Sequence, residues 1–235
     1  VGSELARILL SRGINVIGIS GQTKSSLNRI INTKKYSAKF DSYQVDVMED
    51  EKLSKVLKQI NDVHDVHMVI NALGSSFGAK DPMRTYDAWP NISKLNFEIP
   101  VKICEELSGK IIKNNGVICN IASISGVENH GHPAYCAAKS ALIAYTRSIG
   151  RYLSLQNVAV FSVSPGAILI PGGYWDVIKD KNKAGYDEFI HNRLSMGRMA
   201  NVEEIALFIL ALCEVSTPAY AGNNFIIDGG QGKKF

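Results

Sequence analysis

The sequence predicts an α/β protein built on a parallel β-sheet. Three observations carry this expectation. Short apolar runs bounded by turn residues alternate with helical patterns along the chain, the order that βαβ units produce. The 235 residues, 46% hydrophobic and 20% charged, have the length and composition of an ordinary globular chain able to bury one large core. No repeat, low-complexity tract or interdomain linker interrupts them, so residues 1–235 are read as a single domain.

Taken in order, the amphipathic stretch after Gly2 predicts a helix over 2–12, and the apolar run that follows Gly13 predicts a strand near 14–19. A helix over 23–32, a strand over 41–46, a helix over 49–61 and a strand over 67–72 continue the alternation. The second half repeats it, with helices over 91–113, 133–154 and 202–213 and strands over 116–122, 157–163 and 223–227. The exception is 166–200, where Pro171, Gly172, Gly173, Gly185 and Gly197 break any regular pattern. A long insertion at the carboxyl edge of a parallel sheet is where substrate loops occur. Tyr174-Trp175 within it points to a pocket wall or a partner surface.

Composition excludes several classes. The net charge of +4 is mild and the basic residues are dispersed without interleaved aromatics, so no nucleic-acid partner is expected. No apolar run approaches the ~18–20 residues of a membrane span. Cys104, Cys119, Cys136 and Cys213 lack metal-type spacing and read as free thiols in a reducing, cytoplasmic compartment. His130-Gly-His132 supplies only two potential ligands and reads as a loop, so no metal is expected.

The chemistry is concentrated in Ser123-Ile-Ser-Gly-Val-Glu-Asn-His-Gly-His-Pro-Ala-Tyr135-Cys-Ala-Ala-Lys139. On a helix over 133–154, Tyr135 and Lys139 lie one turn apart on one face. An ammonium beside a phenol favours the phenolate, by roughly 1–3 pKa units for a close opposite charge, which would make Tyr135 an acid or base usable near neutral pH. Ser123 ends an apolar strand, where its hydroxyl can face a substrate oxygen. These residue types suit the movement of a proton on and off an alcohol or carbonyl.

Together with Gly2, Asp46-Val47, Asn71-Ala-Leu-Gly74, Asn96, Pro165-Gly166 and Asp228-Gly229-Gly230, this run resembles the short-chain dehydrogenase/reductase family over essentially the whole chain. The resemblance implies a Rossmann-like, doubly wound parallel sheet that binds a nicotinamide dinucleotide, with Asn96, Ser123, Tyr135 and Lys139 as the catalytic group. It also implies a first strand and a glycine-rich turn ahead of Gly2. These are missing from the sequence and are expected to precede Val1.

The resemblance assigns Gly2 to the end of the phosphate-binding turn, Asp46 and Val47 to the adenine, and Asn71, Ala72 and Gly74 to the ribose side of the cofactor. Pro165, Gly166 and Ile168 fall beside the carboxamide, and Tyr135 and Lys139 also touch the cofactor. The strand near 14–19 ends in Ser20-Gly-Gln22-Thr-Lys24 with no carboxylate. Acidic residues at that place take the ribose hydroxyls of NAD, whereas donors accommodate the extra phosphate of NADP. Ser20, Gln22 and Lys24 are donors, so NADP(H) is favoured over NAD(H).

In the matching helix the family's asparagine holds, through its backbone, a water that links the lysine to solvent. Pro100 lacks an N–H four residues after Asn96 and is expected to free that carbonyl. Ala72 replaces a second asparagine of the family pattern, and Ile170 stands where a threonine is usual. The implied activity is the interconversion of a carbonyl and a secondary alcohol by hydride transfer, in the manner of a 3-oxoacyl reductase. Tyr174-Trp175-Asp176 leaves open a sugar or polyol reductase, and an inactive nucleotide-binding relative is a third reading. Partners are expected to be a small carbonyl or alcohol substrate and further copies of the chain, as a homotetramer through the helices near 91–113 and 133–154 or as a homodimer.

Overall fold

The computed structural model describes all residues except 23–26, 29–30, 79–80, 84–85, 129–130 and 234–235. Helix α1 (Gly2–Ser11) buries Leu5, Ala6, Ile8 and Leu10, the apolar stripe of an amphipathic helix. Strand β1 (Val16–Ser20) pairs in parallel with β2 (Phe40–Gln44), Val16 opposite Phe40 and Ser20 opposite Gln44. The helix expected over 23–32 falls largely outside the described residues. In α2 (Asp50–Val63), Asp50 and Glu51 occupy the first turn and Leu53, Leu57 and Ile60 are buried. The acidic pair meets the positive end of the helix dipole.

After β3 (Met68–Asn71) the chain passes through α3 (Trp89–Ser93), a π-helical turn (Lys94–Glu98) and α4 (Ile99–Lys113). Then follow β4 (Val117–Ile121), α5 (Pro133–Ser154) and β5 (Ala159–Pro165). The remainder is β6 (Ile168–Leu169), α6 (Tyr174–Lys181), α7 (Lys183–Arg193), β7 (Ala200–Asn201), α8 (Val202–Val215) and β8 (Asn224–Ile227). Helix α8 opens on a reciprocal capping box in which the Asn201 side chain accepts the Glu204 N–H and the Glu204 carboxylate accepts the Asn201 N–H.

The main sheet runs β3-β4-β5-β8, all parallel. Alternate residues of its central strands point to opposite faces. Val117, Cys119, Ile121, Ala159, Phe161 and Val163 pack on one side with α1 and α8, through Leu5, Ile8, Ile205 and Ile209. Ile118 and Val160 pack on the other with α2, α4 and α5, through Leu53, Leu57, Ile103, Ile111 and Leu153. Both faces are therefore covered, which is why these strands are apolar throughout rather than alternating. Each fully buried side chain of this kind contributes about 1.5–3 kcal/mol.

The expected sheet is realised in two main pieces. β1 and β2 form a ladder separate from the four-stranded sheet, and side chains link them: Ile17, Ile19 and Tyr43 pack on the cluster containing Val69 and Ile118.

The 166–200 segment corrects the expectation of irregular structure, because it holds α6 and α7. These helices build a small core of their own from Ala167, Tyr186, Leu194 and Met199, against which Trp175 and Phe189 pack. Asn182 accepts the Gly185 N–H and caps α7. Short polar helices interrupted by glycine carry little periodic signal, and their stability comes from this local packing.

Candidate active site

Parallel strands present their carboxyl ends along one edge, and the candidate residues gather there. β4 ends at Ile121, and the Ala122 N–H is held by the Val163 carbonyl at 2.7 Å. Ser123 follows in extended conformation, and its Oγ accepts the Ser125 N–H at 3.1 Å, starting the 3-10 turn Ile124–Gly126. The Ser140 hydroxyl on α5 donates to the Gly126 carbonyl at 2.8 Å, which fixes this turn against the helix. Pro133 begins α5, where its missing N–H costs nothing. Tyr135 therefore projects from the first turn, with its phenol near enough to Ser123 to feel its hydroxyl.

Lys139, one turn on, is 1% exposed. Its Nζ donates to the carbonyls of Ile121 at 2.9 Å and Leu73 at 3.0 Å, and lies 5.9 Å from the centre of the Tyr135 ring. Burial pulls its ammonium down to about 7. Burial also pushes the Tyr135 phenol above its ordinary value, and the Ser123 hydroxyl partly opposes this. The sequence-based expectation of a phenol lowered by the adjacent ammonium is corrected here. The amine is engaged by two backbone carbonyls, and desolvation dominates both groups.

Asn96 lies in the π-helical turn and is fully buried. Its side chain accepts the Ser75 N–H at 3.3 Å and donates to the carbonyls of Ser75 and Ile92, both at 2.8 Å. The Ile99 N–H reaches back five residues to the Lys94 carbonyl, and Pro100 offers no donor to the Asn96 carbonyl. Gly74 joins the two halves of the site. A Cβ there would stand 3.2 Å from both Asn96 Oδ1 and Lys139 Nζ.

The residues assigned to cofactor contact divide into two groups. Gly2 begins α1, and a Cβ on Gly2 would lie 3.3 Å from that of Ala72. Ser20 ends β1 and its Oγ accepts the Gln22 N–H at 3.1 Å. Asp46 follows β2 exposed, with Oδ1 accepting the Met48 N–H at 3.0 Å across Val47. Lys24 lies outside the described residues. Beyond Pro165, the Gly166 N–H is held by Ile227 at 3.0 Å, and Ile168 pairs with Ala200.

Asn71 belongs to the other group. It is buried, and its amide donates to Asn120 Oδ1 at 2.8 Å, Cys104 Sγ at 3.3 Å and the Pro100 carbonyl at 3.5 Å. Its side chain braces the framework.

Three supporting residues went unread in the sequence. Asn120 on β4 donates to Thr146 Oγ1 at 2.9 Å, and Thr146 donates to the Leu142 carbonyl at 2.6 Å. With Asn71 they form a buried chain from β3 through β4 to α5. Gln231, immediately after Asp228-Gly-Gly230, accepts the Ala167 N–H at 2.8 Å and so anchors the loop after Pro165. Its position beside that landmark was the available signal.

The residues of the aromatic face read at Tyr174-Trp175-Asp176 lie on α6. The Trp175 ring packs on Phe189 with centroids 4.1 Å apart, and Asp176 accepts the Gly172 N–H at 2.8 Å, leaving Tyr174 exposed.

The donor set fits a nicotinamide dinucleotide. The start of α1 at Gly2 suits phosphate, the strand ends at Ser20 and Asp46 carry polar side chains that could meet a nucleoside, and the Gly74 gap lies against Lys139. Among the described residues no three His, Cys, Asp or Glu side chains are grouped as metal ligands, and no helix is long and apolar enough to cross a membrane.

A family model described as enoyl-(acyl carrier protein) reductase matches residues 1–231. The curated 3-oxoacyl-(acyl-carrier-protein) reductase FabG of Aquifex aeolicus is 28% identical over 236 residues, covering 98% of this chain and 92% of that protein. The L-sorbose reductase of Gluconobacter frateurii, solved with NADPH and L-sorbose, is similar at a TM-score of 0.87 and 22% identity, covering 100% of this chain and 93% of that one. A 3-oxoacyl-(acyl-carrier-protein) reductase of Agrobacterium tumefaciens, solved with NADP, has a TM-score of 0.82 at 19% identity, covering 97% and 89%. These structural likenesses show the shared fold.

Proposed function

The chain belongs to the short-chain dehydrogenase/reductase family and is an NAD(P)-dependent oxidoreductase, and from that premise we propose that it reduces a 3-oxoacyl-type ketone to the secondary alcohol, with NADP(H) preferred over NAD(H). The observation that carries this reading is the juxtaposition of Ser123 and Tyr135 beside a buried Lys139. The 28% identical Aquifex reductase supports the substrate class. The carboxylate-free end of β1, with Ser20 and Gln22, supports the cofactor preference.

The bound cofactor supplies the hydride. Gly2, the ends of β1 and β2 and the Pro165–Ile168 loop would hold and orient it. Ser123 and Tyr135 bind the substrate oxygen, and Tyr135 gives its phenolic proton to that oxygen as the alcohol forms. Lys139 stands behind Tyr135 with an amine that burial brings to about 7, able to carry a proton near neutral pH. Asn96 holds the Ser75 backbone on both its polar groups, and its backbone carbonyl, without a donor from Pro100, is available to a water that returns protons to Lys139. Positioning and proton control are the protein's share of the catalysis. Assembly as a homotetramer or homodimer through α4 and α5 belongs to the same reading.

The test is Tyr135→Phe, assayed with NADPH and an acetoacetyl thioester while cofactor binding is followed by fluorescence. Turnover should fall by about 10²–10⁴-fold, the range for loss of a general acid, with NADPH affinity retained. A variant that keeps more than a third of wild-type turnover would remove the reading. Wild-type binding of NADPH without turnover of any carbonyl would favour a nucleotide-binding relative instead.

A further inference from the structure

Among the described residues, the buried side-chain atoms without a hydrogen-bond partner are Ser42 Oγ and both ring nitrogens of His132. Ser42 lies in the middle of β2, away from the strand ends. His132 is different. It is 8% exposed and occupies the N-cap position of α5, three residues before Tyr135 in the chain. The preceding Gly131 has φ +118, and a Cβ on it would lie 3.5 Å from Ser125 Oγ. The turn carrying His132 is therefore set between the Ser123–Ser125 segment and the first turn of α5.

Nothing in the fold calls for an imidazole at this place. The side chain does not cap the helix, although capping is the usual use of a polar residue there. A neutral imidazole carries one donor and one acceptor, and leaving both unmet in a buried position is unfavourable compared with an apolar residue of similar size. Natural chains keep such unsatisfied groups where a ligand meets them.

We propose that His132 binds a second oxygen of the substrate, one or two carbons from the reacting carbonyl, and so selects oxygenated ketones over plain ones. This deepens the carbonyl-reduction reading above and rests on it. Ser123 and Tyr135 take the reacting oxygen, and the imidazole beside them meets the next. Two sources present that chemistry: the thioester carbonyl of a 3-oxoacyl chain, and the hydroxyl of a hydroxyketone.

The experiment compares kcat/KM for the acetoacetyl thioester of N-acetylcysteamine, 1-hydroxy-2-butanone and 2-pentanone, with NADPH and full-length protein. Wild type should prefer one of the two oxygenated substrates over 2-pentanone, and which one identifies the source. His132→Leu should reduce that preference by at least tenfold, mainly through KM, while its melting temperature stays at or above wild type. His132→Gln, which retains a donor and an acceptor, should restore part of the preference. The inference is overturned if the Leu variant lowers all three substrates by one factor, leaves the preference intact, or melts well below wild type or fails to fold. Preference of wild type for 2-pentanone overturns it as well. Failure of wild type on all three substrates would instead sink the reduction reading itself, and this inference with it.

Discussion

Lys139 Nζ on α5 donates to the Ile121 carbonyl at the end of β4, 2.9 Å away, so the helix that carries Tyr135 is tied to the end of the strand that leads to Ser123 through a buried amine. Burial lowers this amine from 10.5 to about 7. Between those values the unfolded chain binds the proton that the folded chain has released. Stability should therefore rise with pH across that window, and the penalty is complete below about pH 7. One pKa unit corresponds to about 1.4 kcal/mol, so the effect is on the order of a few kcal/mol. Lys139→Met removes it. The stability difference between variant and wild type, measured by denaturant titration at pH 7, 8 and 9, should shift in favour of wild type as pH rises. Parallel curves would show that the amine titrates as an ordinary lysine.

Gly74→Ala should separate activity from stability. The added methyl would stand 3.2 Å from Asn96 Oδ1 and from Lys139 Nζ, so each must move by a few tenths of an ångström. The backbone at Gly74 is not in the left-handed region, and the residue is exposed. Stability should therefore change by less than about 1 kcal/mol. Misplacement of catalytic groups is costly, and kcat should fall by about 10–100-fold. Unchanged kcat would mean that Asn96 and Lys139 do not work as one unit.

Much of this arrangement could be read from residue order, and the exceptions have physical causes. The helix over 133–154 was expected with the bounds it has, because Pro133 and a long Ala-rich stretch mark it locally. Strand ends differed by one or two residues, since pairing partners decide where a ladder stops. Asn120 and Thr146 were unreadable: each is an ordinary polar residue in an apolar run, and only the fold brings them within 2.9 Å. The packing of Trp175 was not legible for the opposite reason. Exposed aromatics and packed aromatics look alike in sequence, and its partner Phe189 comes from the next helix. The Tyr135–Lys139 spacing gave the correct face but not the electrostatics, because desolvation depends on what covers the pair.

Thr146→Val tests the buried chain that begins at Asn71. Valine has nearly the shape of threonine but no oxygen, so Asn120 Nδ2 loses its 2.9 Å acceptor within the core. An unsatisfied buried donor costs about 1–3 kcal/mol. Loss of the Thr146–Leu142 bond adds little, since back-bonding of this kind is slightly unfavourable in helices. Chemical denaturation should report a loss in that range with an unchanged slope. A neutral substitution would mean that the network is satisfied by other means.

Pro100→Ala sets stability against function. Proline inside a helix removes one hydrogen bond and crowds the carbonyl four residues earlier, at a cost of about 3 kcal/mol. Here that carbonyl belongs to Asn96, and the preceding turn is π-helical over Lys94–Glu98. Alanine would supply the missing N–H and allow the turn to tighten towards α-helix, moving Asn96 relative to Ser75. Part of the gain is offset because proline also restricts the unfolded chain, by about 0.4–1 kcal/mol. A net stabilisation of about 2–2.5 kcal/mol is expected, accompanied by lower turnover and an altered pH–rate profile. If the variant is more stable but keeps wild-type turnover and pH dependence, Pro100 only shapes the helix, and the water at the Asn96 carbonyl has no part in returning protons to Lys139.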